Sequence, residues 1–248
     1  MPDAEKLAAV RAALPALGAG IYLNTGTAGP IPSESAAAMA EITDYELRIG
    51  RAHADYFDGF LERLGEARGA VAAIVGADID EIAITHSTSV AVNAAIGSVG
   101  LRAGDRIVST RSEHAAGLGP VVAAAARTNA EAVFVDVDGA ITDETILERF
   151  DAALTSATRL VVFSHVLWTT GRVLPVEAIA RLAHERGATV VVDGAQAAGA
   201  LPVAVHELGA DFYAIAGQKW LLGPEATAAL WVAPSIVAGS RPSIVGWF

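Results

Sequence analysis

Apolar and polar positions follow two different rhythms along this chain. In the first third they recur at helical spacing. Residues 3–17 read as a short amphipathic helix. A turn-rich loop follows, Asn24-Thr25-Gly26-Thr27-Ala28-Gly29-Pro30. Ser33 stands where an N-cap belongs, before a helical stretch that runs to about residue 48. A second long helical stretch covers about 56–75 and stops at Gly76.

Beyond residue 80 the rhythm changes to short apolar runs separated by helical patterns. The runs at 82–85, 106–109, 132–137, 160–164, 189–192, 212–215 and 228–232 predict strands. Helices are predicted at 89–99, 118–127, 142–154 and 176–186, with Thr142 as a cap and Pro175 at a first helical position. Strands this apolar, alternating with helices, predict an α/β fold with a largely parallel sheet covered on both faces. Ligands of such sheets sit beyond the carboxyl ends of the strands. The polar residues just after each strand are therefore the ones that matter: 86–89, Glu113 with His114, 165–171, 193–196 and 217–219.

Composition narrows the function classes. Of 248 residues, 53% are hydrophobic and 18% charged, which supports a sizeable core and argues against disorder. A net charge of -11 repels phosphate backbones, so nucleic acid is not an expected partner, and an anionic cofactor needs local donors. With no cysteine, the chain has no disulfide, thiolate metal site or cysteine nucleophile of its own. No metal spacing links His53, His184 and His206, and no metal is expected. The start lacks a signal-peptide pattern, and no apolar run reaches the roughly 20 residues of a membrane span. The expectation is a soluble, cytoplasmic protein without a membrane partner.

Several strand-end residues are chemically suggestive. Asp193 closes the run Ala188-Thr189-Val190-Val191-Val192, where a carboxylate is costly unless a cation meets it. A protonated pyridine nitrogen is one such cation; a helix cap or a buried salt bridge is the more ordinary alternative. Lys219 follows the next strand, between Gln218 and Trp220, and is a candidate amine nucleophile whose pKa partial burial lowers. Taken alone, an exposed structural lysine is the better explanation. Ser87, Thr88 and Ser89 lie at a strand-to-helix junction, where free N–H groups and hydroxyls suit a phosphate or merely cap the helix. His114 is placed to stack on an aromatic cofactor, or to be a surface-loop histidine.

Their joint order is more specific than any one of them. Asp193-Gly194-Ala195-Gln196, followed by Asp211 to Pro224 with Gly217-Gln218-Lys219-Trp220 inside it, resembles the signature of class V aminotransferases. This is a group of fold-type I pyridoxal 5'-phosphate (PLP) enzymes that includes cysteine desulfurases, isopenicillin-N epimerase-like proteins and kynureninases. The segments at 22–30, 85–93, 112–114 and 164–175 resemble the family's other active-site stretches, in order, over about residues 20–232. The resemblance implies a PLP-transferase large domain over 33–248, with residues 1–32 as an N-terminal helical arm and active-site loop. It implies that Lys219 forms the Schiff base and shuttles protons, and that Asp193 pairs with the pyridinium nitrogen. It further implies that Gln196 bonds the ring's phenolic oxygen, that His114 stacks on the ring, and that Thr88, Ser89 and Gln218 hold the phosphate.

The sequence departs from the desulfurase pattern at Trp168, where an asparagine is usual, and at Ala216, where a phosphate-binding serine is common. Implied partners are an amino acid or related amine and a second copy of the chain, as a homodimer. Epimerase or lyase chemistry of the same family is the alternative to transamination. Family members continue into a small domain that supplies a carboxylate-binding arginine, whereas this sequence stops at Phe248. A PLP-binding fragment without turnover is therefore a further alternative.

Overall fold

A computed structural model describes residues 2–139, 142–237, 239 and 241–245, so the terminal Trp247 and Phe248 lie outside the described residues. The amino-terminal helices are α1 (Pro2–Ala13), α2 (Ser33–Ile49) and α3 (Ala54–Val75). The single helix expected over 3–17 is broken: Leu14 leaves helical geometry (φ -117°, ψ 79°), and Pro15–Gly18 forms a separate 3-10 turn. Pro15 disfavours the α conformation in the residue before it and brings no N–H of its own. Ser33 is the first residue of α2 rather than its cap; Pro32, in extended geometry, holds the cap position without a side-chain bond. Gly76 ends α3 in the left-handed conformation, as its position suggested (φ 68°).

The rest of the chain alternates: β1 (Ile82–Thr85), α4 (Thr88–Ser98), β2 (Arg106–Thr110), α5 (Ala115–Thr128), β3 (Glu131–Val135), α6 (Asp143–Ala153), β4 (Thr158–Ser164), α7 (Val176–His184), β5 (Thr189–Asp193), β6 (Phe212–Ala216), β7 (Ala228–Val232) and the short α8 (Pro234–Val237). The described strands form one sheet in the order β1-β7-β6-β5-β4-β2-β3. Neighbours from β6 to β3 pair in parallel, while β7 is antiparallel to both β6 and β1. Only β7 is reversed, so β1 points the same way as the parallel strands. The residues following β1, β2, β4, β5 and β6 therefore collect at one edge.

Alternation along each strand feeds two cores. Val161, Phe163, Val190, Val192, Tyr213 and Ile215 face α3, α6 and α7. Leu160, Val162, Val191, Phe212 and Ala214 face α4 and α5. This two-sided burial is why the strands read as continuous apolar runs. Replacing a fully buried Phe163 by alanine is expected to cost about 3–5 kcal/mol.

α5 begins three residues earlier than its pattern suggested. Gly117, Gly119 and Pro120 hide its first turn in the sequence, but the His114 side chain caps it by accepting from Ala116 N. Pro175 is the cap residue of α7 rather than its first helical residue. No helix among the described residues is long and apolar enough to cross a membrane.

Candidate active site

The shared strand edge opens into a cavity of about 360 Å³. Thr88, Ser89, His114, Asp193, Gln196, Gln218 and Lys219, the seven residues singled out in the sequence, all line it. Gly26 and Thr27 reach it from the amino-terminal loop, and Ser164 and Trp168 from the end of β4.

Asp193 is the last residue of β5 and is buried, with Oδ1 accepting from Ala195 N at 2.9 Å. Burial pushes its carboxyl above the usual range; the Ala195 bond and the charges of Lys219 and His114 pull the other way. Lys219 sits in the turn after β6. Burial pushes its amine below the ordinary lysine value, partly offset by Asp193. The pair thus combines an amine biased toward its neutral, nucleophilic form with a carboxylate short of a cation.

The turn holding Lys219 is tightly specified. Gly217 N donates to Thr227 O, and Gly223 N donates to Gly217 O, both at 2.8 Å. Gly29 of the amino-terminal loop donates from N to Gln218 O at 2.8 Å, and a side chain there would overlap the carbonyl of Lys219. Gly29 is therefore a close-approach glycine that seats the loop on the lysine turn. Gln196 adds a clamp: Nε2 donates to Gly26 O at 2.7 Å, and Oε1 accepts from Trp220 Nε1 at 2.8 Å. One Nε2 hydrogen of Gln196 remains beyond these two bonds.

Thr88 and Ser89 open α4, where the first backbone N–H groups have no intrahelical partner. The cap is Ser87, one residue earlier, whose Oγ accepts from Val90 N at 3.2 Å. Positive partial charge at this helix start suits an anion. His114 caps α5 through Nδ1, which accepts from Ala116 N at 3.1 Å, and its ring meets Trp168 edge-on at 5.4 Å.

Two strand-end residues that the sequence marked, Glu113 and His165, have buried partners that it did not. Glu113 is buried; its Oε1 accepts from Thr110 Oγ1 at 2.6 Å and from Ser164 N at 3.1 Å, and its Oε2 from Ser164 Oγ at 2.5 Å. Burial pushes its carboxyl up, against these hydrogen bonds. The other belongs to a buried pair, His165 Nδ1 and Tyr213 Oη, 2.8 Å apart; burial lowers the histidine and raises the phenol. Glu113 was visible as a polar residue after a strand, but its partner Ser164 lies 51 positions away.

The cavity also fits a phosphorylated aromatic ring in an unforced way. Among the described residues, Gln218 Oε1 is buried without a hydrogen-bond partner, an orphan polar atom in the cavity that Thr88 and Ser89 also line. Nitrogen and oxygen of an amide exchange places by rotation, so Gln218 can present a donor there. A helix start, an amide, a lysine and a strand-end carboxylate around one cavity define a site for an anionic, ring-nitrogen cofactor. The fold is that of a PLP-transferase large domain with an amino-terminal helical arm.

Comparison with known proteins agrees. Residues 21–246 match the family model described as aminotransferase class-V, and the chain belongs to that family, whose enzymes use PLP. It is 33% identical over 238 residues to a probable cysteine desulfurase of Methanothermobacter thermautotrophicus, covering 96% of this chain and 59% of that protein. It is 31% identical over 229 residues to isopenicillin N epimerase of Streptomyces clavuligerus, covering 92% of this chain and 57% of that one. A solved structure of a C-DES mutant, with glycine covalently linked to the PLP cofactor, superposes with a TM-score of 0.91 at 29% identity, covering 96% of this chain and 63% of that chain. The chain thus spans less than two thirds of the length of these relatives.

Proposed function

We propose that this chain is the cofactor-binding part of a PLP-dependent enzyme acting on an amino acid or related amine, with Lys219 as the residue that holds PLP covalently. The observation that carries this reading is the pairing of Lys219 with Asp193 in one cavity, where each offsets the effect of burial on the other. When bound, PLP supplies an electron sink for a carbanion formed beside it.

The chain's own residues then have distinct tasks. Asp193 holds the proton on the ring nitrogen, an ion pair that also relieves its burial. Lys219 Nζ would hold PLP and, when free, would take and return the substrate's α-proton. Gln196 would offer its remaining N–H to the cofactor's phenolic oxygen, and His114 would stack on its ring. Thr88, Ser89 and Gln218 donate to the phosphate. Residues 1–32 serve as an arm that brings Gly26 and Thr27 to the cavity, and residues 33–248 as the PLP-binding large domain.

The likeness to isopenicillin N epimerase and to cysteine desulfurases favours an epimerase or lyase as the second reading, on the same residues. We place the protein in the cytoplasm as a homodimer. Ile21 and Leu23, both 91% exposed, and Leu47, 80% exposed, support the dimer as apolar surface for a second copy to cover.

The test is a PLP titration followed by absorbance, with Lys219→Ala alongside. A saturable visible band in the wild type that Lys219→Ala lacks is the expected result. Equal spectra for the two proteins would contradict the assignment.

A further inference from the structure

Among the described residues, Glu113 is the one buried carboxylate at this edge to which the mechanism above gives no task. Its position explains what it does. The β2–β4 ladder ends at Ser109 and Val162, short of the cavity. Beyond that point Glu113 continues the connection, accepting from Thr110 Oγ1 on one side and from both Ser164 N and Ser164 Oγ on the other. The two strand ends are thereby cross-linked through a single side chain.

Both of its neighbours are cavity walls. Ser164 lines the cavity directly, and so does His114, the next residue in the chain and the cap of α5. Glu113 itself is not part of the cavity lining. A Cβ at Gly117 would lie 3.7 Å from Glu113 Oε2 and 3.8 Å from Asp193 Oδ2, so the two carboxylates border the same small space. Burying a carboxylate is costly unless its hydrogen bonds are fully made, and here three donors meet it.

We propose that Glu113 is a positioning residue for the cofactor: by tying the ends of β2 and β4 together it holds His114 and Ser164 in place as one wall of the site. This rests on the PLP reading given above. Glutamine can reproduce the cross-link. Its carbonyl oxygen accepts from Ser164 N and Thr110 Oγ1, while its amide donates to a rotated Ser164 hydroxyl. Alanine cannot.

The experiment compares wild type, Glu113→Ala, Glu113→Gln, His114→Ala and the Glu113→Ala/His114→Ala double variant. Each is measured for its PLP dissociation constant, for the visible circular dichroism of bound PLP, which reports ring orientation, and for melting without PLP. Glu113→Ala is expected to weaken PLP binding by about tenfold, the loss of a hydrogen-bonded charged group felt at second hand, and to alter the dichroism band. Glu113→Gln should stay within about threefold of wild type on both readouts. Added to His114→Ala, Glu113→Ala should have less than its effect alone, because contacting residues couple.

Glu113→Ala that lowers the melting temperature but leaves PLP affinity and dichroism as in wild type would overturn the proposal. So would Glu113→Gln as damaging as Glu113→Ala, because charge rather than cross-linking would then be at work. Full additivity with His114→Ala would overturn it too. If Glu113→Ala does not fold, Thr110→Val takes its place; removing one of the three donors should weaken PLP binding and shift the dichroism, and no change in either would overturn the proposal. A wild-type chain without a saturable PLP band would overturn the PLP reading and this inference together. A wild type that binds PLP beside an unaffected Glu113→Ala overturns the inference alone.

Discussion

Gln196 donates from Nε2 to the carbonyl oxygen of Gly26 at 2.7 Å, joining two residues 170 positions apart. Its Oε1 takes a second bond from Trp220 Nε1 at 2.8 Å. One amide therefore holds together the amino-terminal loop, the turn after β5 and the turn carrying Lys219. Gln196→Ala removes both bonds, with an expected loss of about 1–3 kcal/mol. Hydrogen exchange should quicken over residues 24–30 and around Lys219 while the strands stay protected. Exchange in the loop equal to wild type would show that the clamp does not hold it.

Asp193→Asn keeps the side chain's shape and its oxygen acceptor for Ala195 N, so PLP binding should survive. What is lost is the charge that keeps the ring nitrogen protonated. Exchange of the substrate α-proton with solvent, followed by NMR, should slow by about tenfold or more, which corresponds to at least about 1.4 kcal/mol. Exchange at the wild-type rate would remove Asp193 from the role given to it.

His114 has two separable tasks, which two substitutions can divide. His114→Ala loses both the helix cap and the ring face, and should weaken PLP binding by about 0.5–1.5 kcal/mol for the lost stacking, together with a drop in stability of about 1 kcal/mol for the lost cap. His114→Asn restores an efficient cap without an aromatic ring. It should recover the melting temperature of the apo-protein but not the affinity for PLP. Recovery of both would mean that the imidazole face is not used.

The sequence was most legible where burial is two-sided. β4, β5 and β6 announce themselves because both faces of each strand are covered, and the polar residues closing them mark the cavity edge without further information. Legibility failed where long-range or local chemistry overrides pattern. The start of α5 is disguised by Gly117, Gly119 and Pro120, and only the His114 cap reveals it. α4 starts at Thr88, one residue before the expected start, and of the three hydroxyl residues there it is Ser87 that caps it, a choice that spacing cannot resolve. Glu113 reads as an ordinary loop acid until the fold brings Ser164 to it.

His184 offers a pH test of packing away from the cavity. Its Nε2 lies 3.0 Å from Asp211 Oδ2, which also accepts from Val190 N at 2.7 Å. The hydrogen bond to Asp211 raises the imidazole above its ordinary 6.5. A raised folded-state pKa stabilises the fold below the unfolded value, and that contribution disappears as pH rises through the folded value. His184→Gln should therefore be less stable than wild type at pH 5.5, with the gap closing by pH 8.5, in urea denaturation. A gap that widens with pH would reverse the assigned sign.

Lys219 is assigned the cofactor, and the chain makes this unusually easy to decide because Lys6 is its only other lysine. The most direct measurement is borohydride reduction of the PLP-loaded protein, followed by proteolysis and peptide mass mapping. The pyridoxyl label is expected on Lys219 in near-stoichiometric amount, with none on Lys6. Label on Lys6, or on neither lysine, would contradict it.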